Sequence, residues 1–180
     1  MKPSPPFPIP GRATASPRDR QHFDRLEASL GAVPNLYAAL ALHNTALSDF
    51  LNLQDRESTL SREERLVINL VVSQVNECRY SIPFHTHQAR TLGLSDKHIL
   101  EIRAAQISFN TKLQVLARFV KEAAINKGRP AERSIDALFE AGYHHADLVD
   151  IVMQIGEVTI TNYLHNITLV PLDFPDVPLH

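Results

Sequence analysis

The run Ser61-Arg62-Glu63-Glu64, followed by Leu66, Val67, Ile68, Leu70, Val71, Val72 and Val75, constrains the fold of this chain more than any other stretch. A serine three positions ahead of a glutamate forms a capping box: hydroxyl and carboxylate each accept a hydrogen bond from the other residue's backbone N–H, which marks a helix start. The apolar residues that follow cover nearly all faces of that helix. A helix apolar all round is stable only when other elements surround it. The many β-branched residues would also suit a strand, but the capping box and the length of the run favour a buried central helix.

Helical signals recur on both sides. Ser16-Pro17 opens a polar helix through Phe23, Leu26 and Leu30 that stops at Gly31, and Pro34 starts another that runs to about residue 53 through Leu36, Tyr37, Leu40, Leu47, Phe50, Leu51 and Leu53. A short helix from Ser81 or Ile82 to Leu92 ends at Gly93. Ser95-Asp96 caps a further one to about Ala105, and Thr111 to Lys127 forms one stopped by Gly128-Arg129-Pro130. Arg133 to Ala141 is a short helix before Gly142, and Asp147 to about Ile167 a long last one. No hairpin signal and no internal repeat competes, so the expected fold class is all-α. Five prolines among the first ten residues exclude regular structure there. The expected organisation is a proline-rich tail over 1–15, a single all-helical domain over 16–170 with its motif core at 60–120, and a C-terminal tail over 171–180.

With 180 residues, 44% of them hydrophobic, the chain can bury a sizeable core. Its 18 Lys+Arg against 20 Asp+Glu leave a net charge of -2 and no basic block able to follow a phosphate backbone, which argues against nucleic acid as a partner. The first residues lack the apolar run of a signal peptide, and no stretch reaches the ~20 apolar residues of a membrane span. The expectation is a cytoplasmic protein with no membrane partner, and its single cysteine, Cys78, cannot form an internal disulfide.

Cys78 lies in Asn76-Glu77-Cys78-Arg79-Tyr80-Ser81-Ile82-Pro83-Phe84-His85, at the entrance of the short helix. A thiol reacts as thiolate, and both the positive end of a helix dipole and a nearby imidazole favour that form. The segment has to turn back for the sulfur to reach the free amides. His85 follows Ser81 by one helical turn and so shares its face, which makes position 81 its natural partner. Ser81 itself suits an N-cap role. His87 points elsewhere, so His85-Thr86-His87 is a poor metal site, and no metal is expected. Phe84, Phe109, Phe119 and Phe139 read as packing residues, Tyr80 and Tyr143 as buried tyrosines with satisfied hydroxyls, and His144-His145 as a solvated turn. Asn162 and His165 lie close to one face of the last helix and could line an interface or pocket, with packing the favoured reading.

Taken together, Leu60 to Arg65, Val72 to Tyr80, His85, Gly93-Leu94-Ser95, Ala141-Gly142-Tyr143 and Thr161 to Asn166 resemble the alkyl hydroperoxidase D-like branch of the carboxymuconolactone decarboxylase family, in particular its peroxidase-related members. The resemblance covers most of the chain. It implies an alkyl hydroperoxidase D-like helical bundle assembled into a homo-oligomer (dimer, trimer or hexamer). It also implies reduction of hydroperoxides through a Cys-x-x-Cys-x-x-x-His motif served by a relay glutamate, with no cofactor. On this pattern Cys78, Ser81 and His85 are the candidate catalytic positions. Ser81 stands where the second cysteine would be, and Leu66 where the relay glutamate would be; Glu63, one turn earlier, is a possible stand-in. A two-thiol cycle within one chain is therefore chemically impossible. The leading expectation is a one-cysteine peroxidase-related oxidoreductase using a small-molecule hydroperoxide and an external thiol reductant. The alternatives are a catalytically degenerate helical binding or assembly protein and, last, a carboxymuconolactone decarboxylase-like lyase.

Overall fold

In the computed structural model, which describes residues 7–178, the chain folds into nine helices with no strand among the described residues. These are α1 (Pro17–Leu30), α2 (Asn35–Leu40), α3 (Ala46–Gln54), α4 (Arg62–Val75), α5 (Ser81–Thr91), α6 (Asp96–Ala104), α7 (Thr111–Ile125), α8 (Glu132–Glu140) and α9 (His145–Thr168). The first six residues of the expected proline-rich tail and the last two of the C-terminal tail lie outside the described residues.

Helix α4 is the buried centre that its sequence demands. Ser61 Oγ accepts the Glu64 N–H at 3.1 Å, and Glu64 Oε2 accepts the Ser61 N–H at 2.8 Å, which closes the capping box. Val67, Ile68, Leu70, Val71 and Val72 have no exposed surface, because α5, α6, α7 and α9 pack around the helix. The single helix expected from Pro34 to about residue 53 is instead two, α2 and α3. After Leu40 the N–H groups of Ala41, Leu42 and His43 bond carbonyls three residues back at 3.1–3.2 Å, a tightening that ends α2 before Thr45 restarts the chain as α3. Phe109, expected to pack, is exposed and stacks on His98 with ring centroids 4.1 Å apart.

Helix α9 docks along α4 through polar pairs as well as apolar ones. Arg56, between α3 and α4, donates to Glu157 Oε2 at 2.7 Å, Asp150 Oδ1 at 3.0 Å and Gln154 Oε1 at 3.1 Å. Gln154 in turn donates to Asn69 at 2.8 Å, Asn162 donates to Ser73 at 3.3 Å and accepts from Asn76 at 3.0 Å, and Asn166 donates to the Asn76 carbonyl at 2.8 Å. Burial opposes ionisation of Asp150, but hydrogen bonds from Ser58, Thr59 and Arg56 outweigh it and hold the carboxyl below its ordinary pKa. Each pair needs α9 at one axial position, so the ladder fixes the register of α9 on α4.

The side chains of Asp150 and Glu157 are 9% and 10% exposed, so removing their cation leaves two nearly buried charges unpaired. Arg56→Ala is expected to lower the unfolding free energy by about 3–5 kcal/mol. Urea denaturation checks this, and a loss below about 1 kcal/mol, the range of a solvated surface pair, would refute it.

Candidate thiol site

The turn between α4 and α5 sets the cysteine. The Cys78 N–H returns to the Ser73 carbonyl at 3.0 Å and the Glu77 N–H to that of Gln74 at 3.1 Å, the paired bonds of a Schellman motif. Exposed Glu77 occupies the left-handed position at φ +50°, where glycine is usual, so the chain turns back here despite a side chain that disfavours it. That reversal carries the sulfur to the start of α5. There Cys78 Sγ accepts the Ser81 backbone N–H at 3.4 Å, lies 3.4 Å from Ser81 Oγ, and faces His165 Nδ1 at 3.8 Å.

The imidazole beside the thiol is therefore that of α9, His165, and not that of α5, His85. His85 Nδ1 pairs with Gln88 Oε1 at 2.9 Å, and its ring packs edge-on against Phe84. Burial pushes its pKa down to about 4, so His85 is neutral at physiological pH. Burial also lowers the pKa of His165, whose ring lies 5.2 Å from that of Tyr80. With Nδ1 unprotonated the thiol can donate to it, and with Nδ1 protonated the ring can donate to a thiolate. Ser81 does not cap α5: Tyr80 is the N-cap, without a side-chain hydrogen bond, and the serine hydroxyl turns to the sulfur instead.

Cys78 is fully buried. Leu36, Ala39, Tyr80 and Val170 enclose it, with Ile9, Leu164 and Leu172 behind them. The C-terminal segment is laced across this point. Asp173 accepts from the Asn35 N–H at 2.8 Å, the Asn35 side chain at 2.7 Å and the Tyr80 hydroxyl, while Arg79 pairs with Asp176 and Phe174 packs on Phe84. Burial, reinforced by the Asp173 carboxylate, raises the pKa of Tyr80 and keeps it a hydrogen-bond donor. A concavity of about 930 Å³ lies elsewhere, between the α6–α7 turn, α7 and α8, and none of the four site residues lines it. Among the described residues no cluster of three or more His, Cys, Asp or Glu side chains could hold a metal ion, and no helix is long and apolar enough to cross a membrane.

Residues 34–122, which run from α2 into α7 and include Cys78, match the model of the carboxymuconolactone decarboxylase family. The chain belongs to this family. No curated protein matches it significantly in sequence. Among solved structures it is similar to an uncharacterized peroxidase-related protein from Silicibacter sp. TM1040, with 22% identity over 98% of this chain and 95% of that one and a TM-score of 0.80. It is similar to the alkylhydroperoxidase AhpD core of an uncharacterized peroxidase-related protein from Ralstonia eutropha JMP134, with 20% identity over 94% and 95% of the two chains and a TM-score of 0.82. It also resembles the debrominase Bmp8, solved as a cysteine-to-alanine form with 2,3,4-tribromopyrrole, with 16% identity over 95% and 93% and a TM-score of 0.80. These likenesses establish the alkyl hydroperoxidase D-like fold.

Within that fold, the position expected for the relay acid is Leu66, 4% exposed and part of the apolar core. Glu63 is exposed, and the capping carboxylate is that of Glu64, which also accepts the Tyr143 hydroxyl at 2.8 Å. The structure brings Cys78 and Ser81 together and adds His165, which the sequence offered as a pocket or interface residue but favoured for packing. Its signal lay in the repeated polar residues of α9, Asp150, Gln154, Glu157, Asn162 and His165, which line the face turned to α4.

The seal over the sulfur depends on Asp173. Removing the hydrogen bonds of one carboxylate weakens a contact by about 1.5–3 kcal/mol, which raises the open population roughly 10- to 100-fold. Asp173→Ala is therefore expected to speed the reaction of Cys78 with methyl methanethiosulfonate by that factor at unchanged melting temperature. An unchanged rate would show that the segment does not gate the thiol.

Proposed function

We propose that the protein is a one-cysteine, peroxidase-related oxidoreductase. The carrying observation is the surroundings of the Cys78 sulfur: a backbone N–H at a helix start, a hydroxyl and an imidazole all converge on it. His165 can take the thiol proton as the sulfur attacks. In the first step the sulfur attacks one oxygen of a hydroperoxide and the O–O bond breaks. Cys78 becomes a sulfenic acid, and the departing oxygen leaves as an alcohol after receiving the proton held by His165. In the second, two equivalents of an external thiol return the cysteine, yielding their disulfide and water. Ser81 cannot act as a second sulfur, so the reductant has to come from outside. A reducing compartment such as the cytoplasm would supply it.

Family membership and peroxidase-related neighbours support this reading. Complete burial of the sulfur and the apolar Leu66 in place of a relay acid favour a second one, a helical binding or assembly protein that keeps the fold without the chemistry. The two separate in one assay. Under the first, the protein consumes tert-butyl hydroperoxide only when dithiothreitol is present, dimedone labels Cys78 during turnover, and Cys78→Ser abolishes both. Absence of consumption together with an unlabelled Cys78 would refute the first.

A further inference from the structure

The concavity between the α6–α7 turn, α7 and α8 plays no part in the thiol chemistry. At about 930 Å³ it has the size of a small-molecule site. Its walls are tied to α7 by polar bonds. Gln114 accepts the Ile107 N–H and donates to the Ala105 carbonyl at 3.1 Å, and Lys121 donates to the Ala104 carbonyl at 3.0 Å. On the other side Glu122 accepts the Ala131 N–H at 3.0 Å and the Ser134 hydroxyl. The turn and the start of α8 are each held to α7 in this way, so the space between them is built into the fold.

Its lining combines apolar surface with positive charge that nothing in the lining neutralises. Ile107, Val115, Phe119, Ala137 and the 56% exposed Ile125 form the apolar part. Among the described residues that line it, Arg118, Lys121 and Arg133 are the cations and Glu122 is the one carboxylate. Lys121 and Glu122 are committed to the walls. Hydrogen bonds from Ser134 and Ala131 hold the Glu122 carboxyl below its ordinary pKa, and Arg133 and Arg118 add to this through space. Both arginines are exposed, and neither forms a hydrogen bond or close ion pair with a described residue. Acting on one carboxylate from two different helices, they share one part of the lining.

We infer that this concavity binds an amphipathic organic acid, its carboxylate or sulfonate head paired with Arg118 and Arg133 and its apolar body laid against Ile107, Phe119, Ile125 and Ala137. Planar guanidiniums match the oxygens of such a head and form charge-assisted pairs with it. A bare inorganic anion leaves the apolar lining wet, and an alcohol with the same body leaves both guanidiniums unpaired. Only a molecule with both parts satisfies the whole surface. The inference is independent of the thiol chemistry, whose residues do not line the concavity.

Fluorescence titration of the full chain with anilinonaphthalene sulfonate, an aromatic sulfonate that brightens in apolar surroundings, tests it. The signal is expected to saturate, and decanoate to displace the probe at concentrations at least about 10-fold lower than decanol does. Arg118→Gln with Arg133→Gln removes no hydrogen bond within the chain, so its helical circular dichroism should be unchanged while the half-saturating probe concentration rises about 10-fold or more. Ala137→Trp, which fills the concavity, should abolish the saturable signal. A wild type without saturable fluorescence, displacement by decanol as good as by decanoate, or a signal that survives both variants would overturn the proposal.

Discussion

The register of α9 on α4 is the constraint on which the thiol site depends. Apolar packing alone allows one helix to slide along another by a turn at small cost, because one methyl replaces another. The pairs Arg56 with Asp150 and Glu157, Asn69 with Gln154, and Ser73 and Asn76 with Asn162 do not allow it, since a slipped helix strands each of these groups in the interior. The last rungs are Asn162 and Asn166, on either side of His165. The imidazole therefore reaches the sulfur because of hydrogen bonds distributed along the whole contact between the two helices.

The second determinant is local. Central helix α4 ends in a turn that forces Glu77 into the left-handed region and sends the chain back, so that Cys78 meets the first N–H of α5. Short-range backbone geometry brings the sulfur to the helix start, and long-range register brings the ring. The apolar side chains and the C-terminal segment that enclose the pair exclude water, which strengthens the thiol–imidazole interaction.

Much of the fold was legible in the sequence because its signals are local. The Ser61–Glu64 box, the all-round apolar run of α4 and the stops at Gly31, Gly93 and Gly142 each act within one or two helical turns. The break between α2 and α3 was not, since leucines at helical spacing continue across it and no proline or glycine marks the tightened turn. For the site, Cys78 and its helix-start environment were readable from spacing. Pairing Ser81 with His85 rested on the rule that residues four apart share a helical face. Here the serine turns to the sulfur and the histidine to Gln88, an equally local partner. The pairing of His165 with Cys78 was out of reach because 87 residues separate them, and only the packing of α9 onto α4 brings them together.

The most direct test compares the two histidines. The rate at which tert-butyl hydroperoxide oxidises Cys78 in a single turnover is predicted to fall about 100-fold or more in His165→Asn, the loss expected when a proton-transfer partner is removed. In His85→Asn it should stay within about threefold of wild type, a difference of well under 1 kcal/mol. The opposite ranking, with His85 decisive and His165 dispensable, would contradict the assignment of His165 as the working partner of the thiol.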